Sequence, residues 1–123
     1  MGYYTDFTIK VAHGKVDMEE LCDELIRVSE YDMQCDHING EDMIHPGDQV
    51  KWYGCQEDMV QVSKSFPDAV LLVEGIGEEQ GDYWRLYLKN GRDERIGGKI
   101  VYADSNILAE AQATAVIEEV LSE

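Results

Sequence analysis

Polar and apolar residues alternate through Tyr3–Gly14, "YYTDFTIKVAHG". Phe7, Ile9 and Val11 fall on one face and Thr8 and Lys10 on the other, which predicts a half-buried strand ended at Gly14. The period changes after Asp17. Leu21, Leu25 and Val28 recur at i, i+4, i+7, and Cys22 and Ile26 widen the stripe, so the spacing predicts an amphipathic helix. Asp17 is its N-cap candidate, with Glu20 three positions on, as in a capping box. Glu19, Glu20, Asp23, Glu24 and Glu30 lie largely outside the apolar stripe and form an acidic outer face.

No period survives in "DMQCDHINGEDMIHPGD" (Asp32–Asp48). A short strand near Met33–His37 and turns at Asn39-Gly40 and Pro46-Gly47 are all it offers, so it reads as a loop or an irregular edge. "QVKWYG" reads as a strand. "CQEDMVQVSKSF" reads as a short helix with Met59, Val62 and Phe66 inward. Glu57 and Asp58 sit in its first turn, where the helix dipole favours acids, and Phe66-Pro67-Asp68 stops it.

"AVLLVEGI" is almost continuously apolar, as at the centre of a sheet. In "DYWRLYLKNGR", Trp84, Leu86 and Leu88 share one face and Tyr83, Arg85, Tyr87 and Lys89 the other, before the Asn90-Gly91 hairpin signal. The return strand falls in "RIGGKIVYAD", bulged at Gly97-Gly98. Ser105 or Asn106 then caps a helix running to the end. Its Ala109, Ala111, Ala113 and Ala115 leave room for close approach, to a second copy as a homodimer or to the chain's own sheet.

Helices separated by strands, with hairpins late in the chain, predict one α+β domain over residues 1–123: an antiparallel-rich sheet with helices on one face. The first six elements match a ferredoxin-like βαββαβ plan, followed by a C-terminal hairpin and helix.

The stretch "VEGIGEEQGDYW" (Val73–Trp84) admits three chemistries. Gly75-Ile76-Gly77 begins like a dinucleotide fingerprint, but the third glycine, Gly81, comes one position late and a strand follows instead of a helix. Glu78 and Glu79 would repel phosphate. Glu74, Glu78, Glu79 and Asp82 are hard oxygen ligands suited to Ca²⁺ or Mg²⁺, yet their spacing is not that of an EF-hand. The favoured reading is a turn or bulge between two strands, with acids left in water.

Lys51–Tyr53, Glu57–Met59, Phe66–Asp68, Glu74–Glu79, Gly81–Trp84 and Lys89–Gly91 form a series. It runs Lys-Trp-Tyr, Glu-Asp-Met, Phe-Pro-Asp, Glu-Gly-x-Gly-Glu-Glu, Gly-Asp-x-Trp and Lys-Asn-Gly. The series, within Val50–Arg92, resembles a segment of small acidic proteins of phages and prophages, and about three quarters of the chain fits. A looser similarity links it to a ferredoxin-like domain of phage and plasmid proteins. The resemblance implies a phage-associated α+β protein and no catalytic residues.

Charge sharpens the picture. Ten Lys and Arg face 26 Asp and Glu, for a net −16. Such a chain is ill suited to bind nucleic acid or an anionic membrane directly, and well suited to a basic partner. The charge is concentrated: Asp17–Asp48 holds eleven acids and one base, Arg27. The first ten residues lack the order of a signal peptide, and no apolar run approaches the ~20 residues that span a bilayer, which points to the cytoplasm. Cys22, Cys35 and Cys55 fit that compartment and suggest no disulfide framework.

Cys35, His37 and His45 are zinc-type ligands without a C-x-x-C pair, so no metal site is assigned. Cys55 with His13, His37 or His45 has the residue types for nucleophilic catalysis, but nothing local joins them, and neither catalytic residues nor a cofactor are assigned.

The leading expectation is a non-enzymatic interaction protein. Its acids would stand where a host nucleic-acid-binding protein, such as a defence nuclease, expects phosphates, and would inhibit it. Glu19, Glu20, Asp23, Glu24, Glu30, Asp36, Glu41 and Asp42 are its candidate partner-binding residues. The rival expectation is a binder of a small molecule, a signalling nucleotide or a metal, using a pocket between sheet and helices with Glu74, Arg85 and Tyr87. A third is a self-assembling accessory protein.

Overall fold

A computed structural model describes residues 3–79 and 81–97. In chain order the elements are β1 (Thr5–His13), α1 (Met18–Ser29), β2 (Gln34–Ile38), β3 (Glu41–His45), α2 (Cys55–Lys64), β4 (Val70–Gly77), β5 (Tyr83–Lys89) and β6 (Arg92–Gly97). The six strands form one sheet in the order β2-β3-β1-β4-β5-β6, every neighbouring pair antiparallel. The protein is therefore α+β with an antiparallel sheet. Its strand order is that of a six-stranded sheet and so differs from a four-stranded ferredoxin-like one. The helix expected over 105–123 and the bulge at Gly98 lie outside the described residues.

Alternation decides which face of the sheet is covered. Phe7 and Ile9 of β1, Ile44 of β3, Leu71 and Val73 of β4, and Leu86 and Leu88 of β5 are buried. They meet Leu21 and Leu25 of α1 and Met59 and Val62 of α2 in one core. Burying such side chains is the main favourable term in the fold. Phe7 touches Trp52 and Trp84 edge-on, with ring centroids 5.2 and 5.9 Å apart. The opposite face carries neither described helix.

Local chemistry sets the element ends. Asp17 caps α1: its Oδ1 accepts from the N–H groups of Glu19 (2.9 Å) and Glu20 (3.2 Å). Glu30 closes the helix in the left-handed region, φ 66°, donating its N–H to Ile26 O at 2.9 Å. Asn90 and Gly91, both at positive φ, form the β5–β6 turn, and the Gly91 N–H donates to the buried Ser63 Oγ at 2.8 Å. That bond ties the hairpin to α2.

Three expectations change. The segment read as a loop is a five-rung hairpin, β2–β3, turning at Asn39-Gly40. Its side chains are mostly exposed, so burial imposed no clean period. "QVKWYG" is no strand: only Val50 pairs, with Thr5, before Trp52 drops into the core and its indole N–H donates to Asp58 Oδ2 at 2.7 Å. β4 is central, but the described helices cover only one of its faces and its burial alternates despite its apolar run.

Candidate interaction surface

The acids of α1 stand opposite its buried side. Leu21, Cys22 and Leu25 point into the core, and Glu19, Glu20, Asp23 and Glu24 occupy the other arc. Glu30 follows at the C-cap. Glu24 is partly neutralised: Arg27 Nε donates to its Oε2 at 3.1 Å and Arg27 Nη2 also binds it. The Arg27 guanidinium holds the Glu24 carboxyl below the usual carboxylate range. Among the described residues, Glu19, Glu20, Asp23 and Glu30 have no cationic partner.

The remaining acids do not join that face. Asp42 lies on the helix side of the β2–β3 hairpin, its Oδ1 2.7 Å from His37 Nδ1. Asp36 and Glu41 are on the other side of the sheet. Asp36 meets His45, and Glu41 meets Lys10 Nζ at 3.2 Å. His45 Nδ1 accepts from the Gly47 N–H at 3.0 Å, which leaves Nε2–H to donate to Asp36. The eight sequence candidates thus divide into five on α1 and its C-cap and three on an edge hairpin, where His37, His45 and Lys10 engage them.

The rival set lies elsewhere than expected. Glu74, Arg85 and Tyr87 project from the face opposite the two described helices, not between sheet and helices. Glu74 and Arg85 line a groove of about 690 Å³ there, with Thr8, Lys10, Ile76 and Tyr83. Tyr87 lies outside it, beside Lys89 and Arg92. Lys10 Nζ sits 2.9 Å from Glu74 Oε1, and Arg85 Nη2 3.7 Å from Glu74 Oε2. The bond to Glu74, and then the one to Glu41, keep the Lys10 ammonium charged further into the alkaline range than an ordinary lysine.

Sequence reasoning missed Lys10, Ile76 and Tyr83 in this groove. Their signal was the same alternation that placed Phe7, Val73 and Trp84 in the core, carried to the other face.

Cys55 is buried at the start of α2. Burial pushes its thiol up to about 12, so it stays protonated at neutral pH. Among the described residues, no three His, Cys, Asp or Glu side chains converge as metal ligands. No helix among them is long and apolar enough to cross a membrane.

The turn after β4 is tied to the start of the chain's first strand. Tyr3 OH donates to Asp82 Oδ2 at 2.6 Å and accepts from the Glu79 N–H at 3.0 Å. The Gly77 N–H donates to Asp82 O at 2.9 Å, and the Tyr4 N–H to Glu78 Oε1 at 3.0 Å. The Glu-Gly-x-Gly-Glu-Glu and Gly-Asp-x-Trp segments therefore build the β4–β5 connection and fasten the start of β1 to it. Comparison of the chain with protein-family models, with curated proteins and with solved structures finds no match.

Proposed function

We propose that this chain is a non-enzymatic interaction protein that docks through the acidic face of α1 on a basic, nucleic-acid-binding surface of a host protein. The observation that carries this is the arc of Glu19, Glu20 and Asp23, continued by Glu30, set on a rigid, capped helix opposite its buried stripe. Fixed carboxylates on a helix imitate a run of phosphates without the chain paying ordering entropy on binding. The hairpin acids are secondary, because His37, His45 and Lys10 already hold them.

The finer reading follows the resemblance: a phage-encoded inhibitor of a host defence protein, acting in the host cytoplasm. The order β1-α1-β2-β3-α2-β4, with β1 between β3 and β4, supports a ferredoxin-like plan for the first six elements.

The test is affinity capture from a bacterial lysate at low and high salt, repeated with the Glu20→Lys, Asp23→Lys double variant. The reading expects a basic nucleic-acid-binding protein retained at low salt, released at high salt, and bound more than about tenfold more weakly by the variant, since charge pairs across an interface contribute on that scale. Equal affinity of variant and parent rejects it.

A further inference from the structure

Two of the three thiols meet where α1 crosses the edge hairpin. Cys22 lies on the buried side of α1, and its Sγ donates to the Met33 carbonyl oxygen at 3.6 Å. Met33 stands just before β2. Cys35, two residues on, faces the same way. It pairs with Ile44, whose side chain is buried in the core that also holds Cys22. Residues directly opposite in a ladder point to one face of the sheet. Cys35 therefore faces α1 from the edge strand, yet its thiol is exposed while that of Cys22 is buried.

We propose that Cys22 and Cys35 form a redox modification site, a dithiol that low-molecular-weight disulfides close to a reversible bond fastening the β2–β3 hairpin to α1. Three features suit it to that chemistry. The chain joining the two cysteines is short, so they stay near one another when the segment opens. Among the described residues β2 has a neighbour on one side only, and its side chains are mostly exposed, so it can shift toward α1 without disturbing the core. Cys55 does not compete: it sits at the start of α2, beside Asp58 and Arg95 instead of a second thiol.

The two thiols divide the work. Burial raises both, and in Cys22 the second cause is Cys35 itself. Charge on Cys35 thus delays ionisation of Cys22, and the exposed Cys35 ionises and attacks first. Its thiolate attacks one sulfur of the small disulfide. That S–S bond breaks, a mixed disulfide forms on Cys35, and one small thiolate leaves and takes a proton from water. Cys22 then gives its proton to water and attacks the Cys35 sulfur, expelling the second small thiol. Two protein thiols are oxidised to one disulfide, and one small disulfide is reduced to two thiols. Excess small thiol runs both steps backward.

The test uses the full chain, reduced and then equilibrated with glutathione disulfide. Free thiols are blocked with iodoacetamide in urea, and trypsin cuts after Arg27, between the two cysteines. The proposal expects the free thiols to fall from three to one, Cys55. It expects peptides 16–27 and 28–51 to be joined within one chain, and reduced glutathione to release them. Cys22→Ser should instead hold glutathione on Cys35. Glutathione on Cys35 of the parent, with Cys22 blocked as a free thiol, would overturn the proposal. Links between chains, links to Cys55, or three thiols still free at equilibrium would overturn it equally. None of these outcomes bears on the α1 docking surface, which Glu20 and Asp23 test separately.

Discussion

Gly75 of β4 lies directly opposite Trp84 of β5, and a β-carbon at Gly75 would overlap the Trp84 indole. The absent side chain is what lets the indole lie flat over β4, edge-on to Phe7 and beneath the Arg95 guanidinium, 4.7 Å from the ring. One glycine thus sets the geometry of an aromatic cluster that joins three strands.

Gly75→Ala forces the indole or the β4 backbone to shift. Overpacking of this kind costs about 1–3 kcal/mol. Chemical denaturation will register the loss as a lower midpoint with an unchanged slope, and a midpoint equal to the parent's would contradict the packing described. Gly81, whose added β-carbon meets nothing, is a poor control because its φ is +89°. Gly97, which has open space and no positive φ, is a better one.

Tyr3 makes a second long-range tie. Tyr3→Phe removes the donor to Asp82 and the acceptor for Glu79 N–H, and so loosens the link between the start of β1 and the β4–β5 connection. Amide exchange at Glu79 should quicken. The bond to Asp82 also raises the Tyr3 phenol above its ordinary 10.0. A group whose folded pKa is raised contributes below its unfolded value and loses that contribution as pH climbs. The tie therefore holds below about pH 10 and opens above it. Ultraviolet titration should find a tyrosine step above the ordinary phenol range, and Tyr3→Phe should remove that step.

Glu30 tests whether a docking residue and a folding residue are the same. Its φ of 66° costs a non-glycine residue about 1 kcal/mol. Glu30→Gly should leave the fold as stable or up to ~1 kcal/mol more stable. Partner capture should weaken all the same, because one carboxylate of the acidic face is gone. A variant that is destabilised would show that the Glu30 side chain helps hold α1.

The three thiols should separate cleanly. Cys35 is exposed and Cys22 and Cys55 are buried. Cys22 donates to Met33 O at 3.6 Å, and burial raises its thiol. A short iodoacetamide pulse on the native protein should modify Cys35 alone. Its rate should lie below that of a free thiol and rise with pH, since partial burial and then Asp42 and Asp36 raise it too. Labelling of Cys55 as fast as Cys35 would mean that the N-terminal end of α2 is open.

Much of this architecture was legible in the residues. The stripe of Leu21 and Leu25, the Asp17 cap, the Asn90-Gly91 turn and the alternation of Trp84–Leu88 each announced the element later found. These signals are local, because capping, turn φ and burial period act within a few residues. The β2–β3 hairpin was legible only in part: the strand near Met33–His37 and the Asn39-Gly40 turn left a signal, but β3 did not, because the exposed residues leave no apolar period. Trp52 was misread because β-propensity cannot know that an indole will be buried against Phe7 and held by Asp58.

The sequence by itself determined the types of β1, α1, α2, β4 and β5, the acidic outer face of α1 and the connection formed by Val73–Trp84. Each depends on spacing along the chain. Tertiary structure alone decided that Asp36 and Glu41 stand across the sheet from α1, and that Glu74 and Arg85 share a groove with Lys10 on the face the two helices leave open. Those relations depend on strand order and register. Pairing between residues far apart in sequence sets both, and no local period encodes which strand becomes whose neighbour.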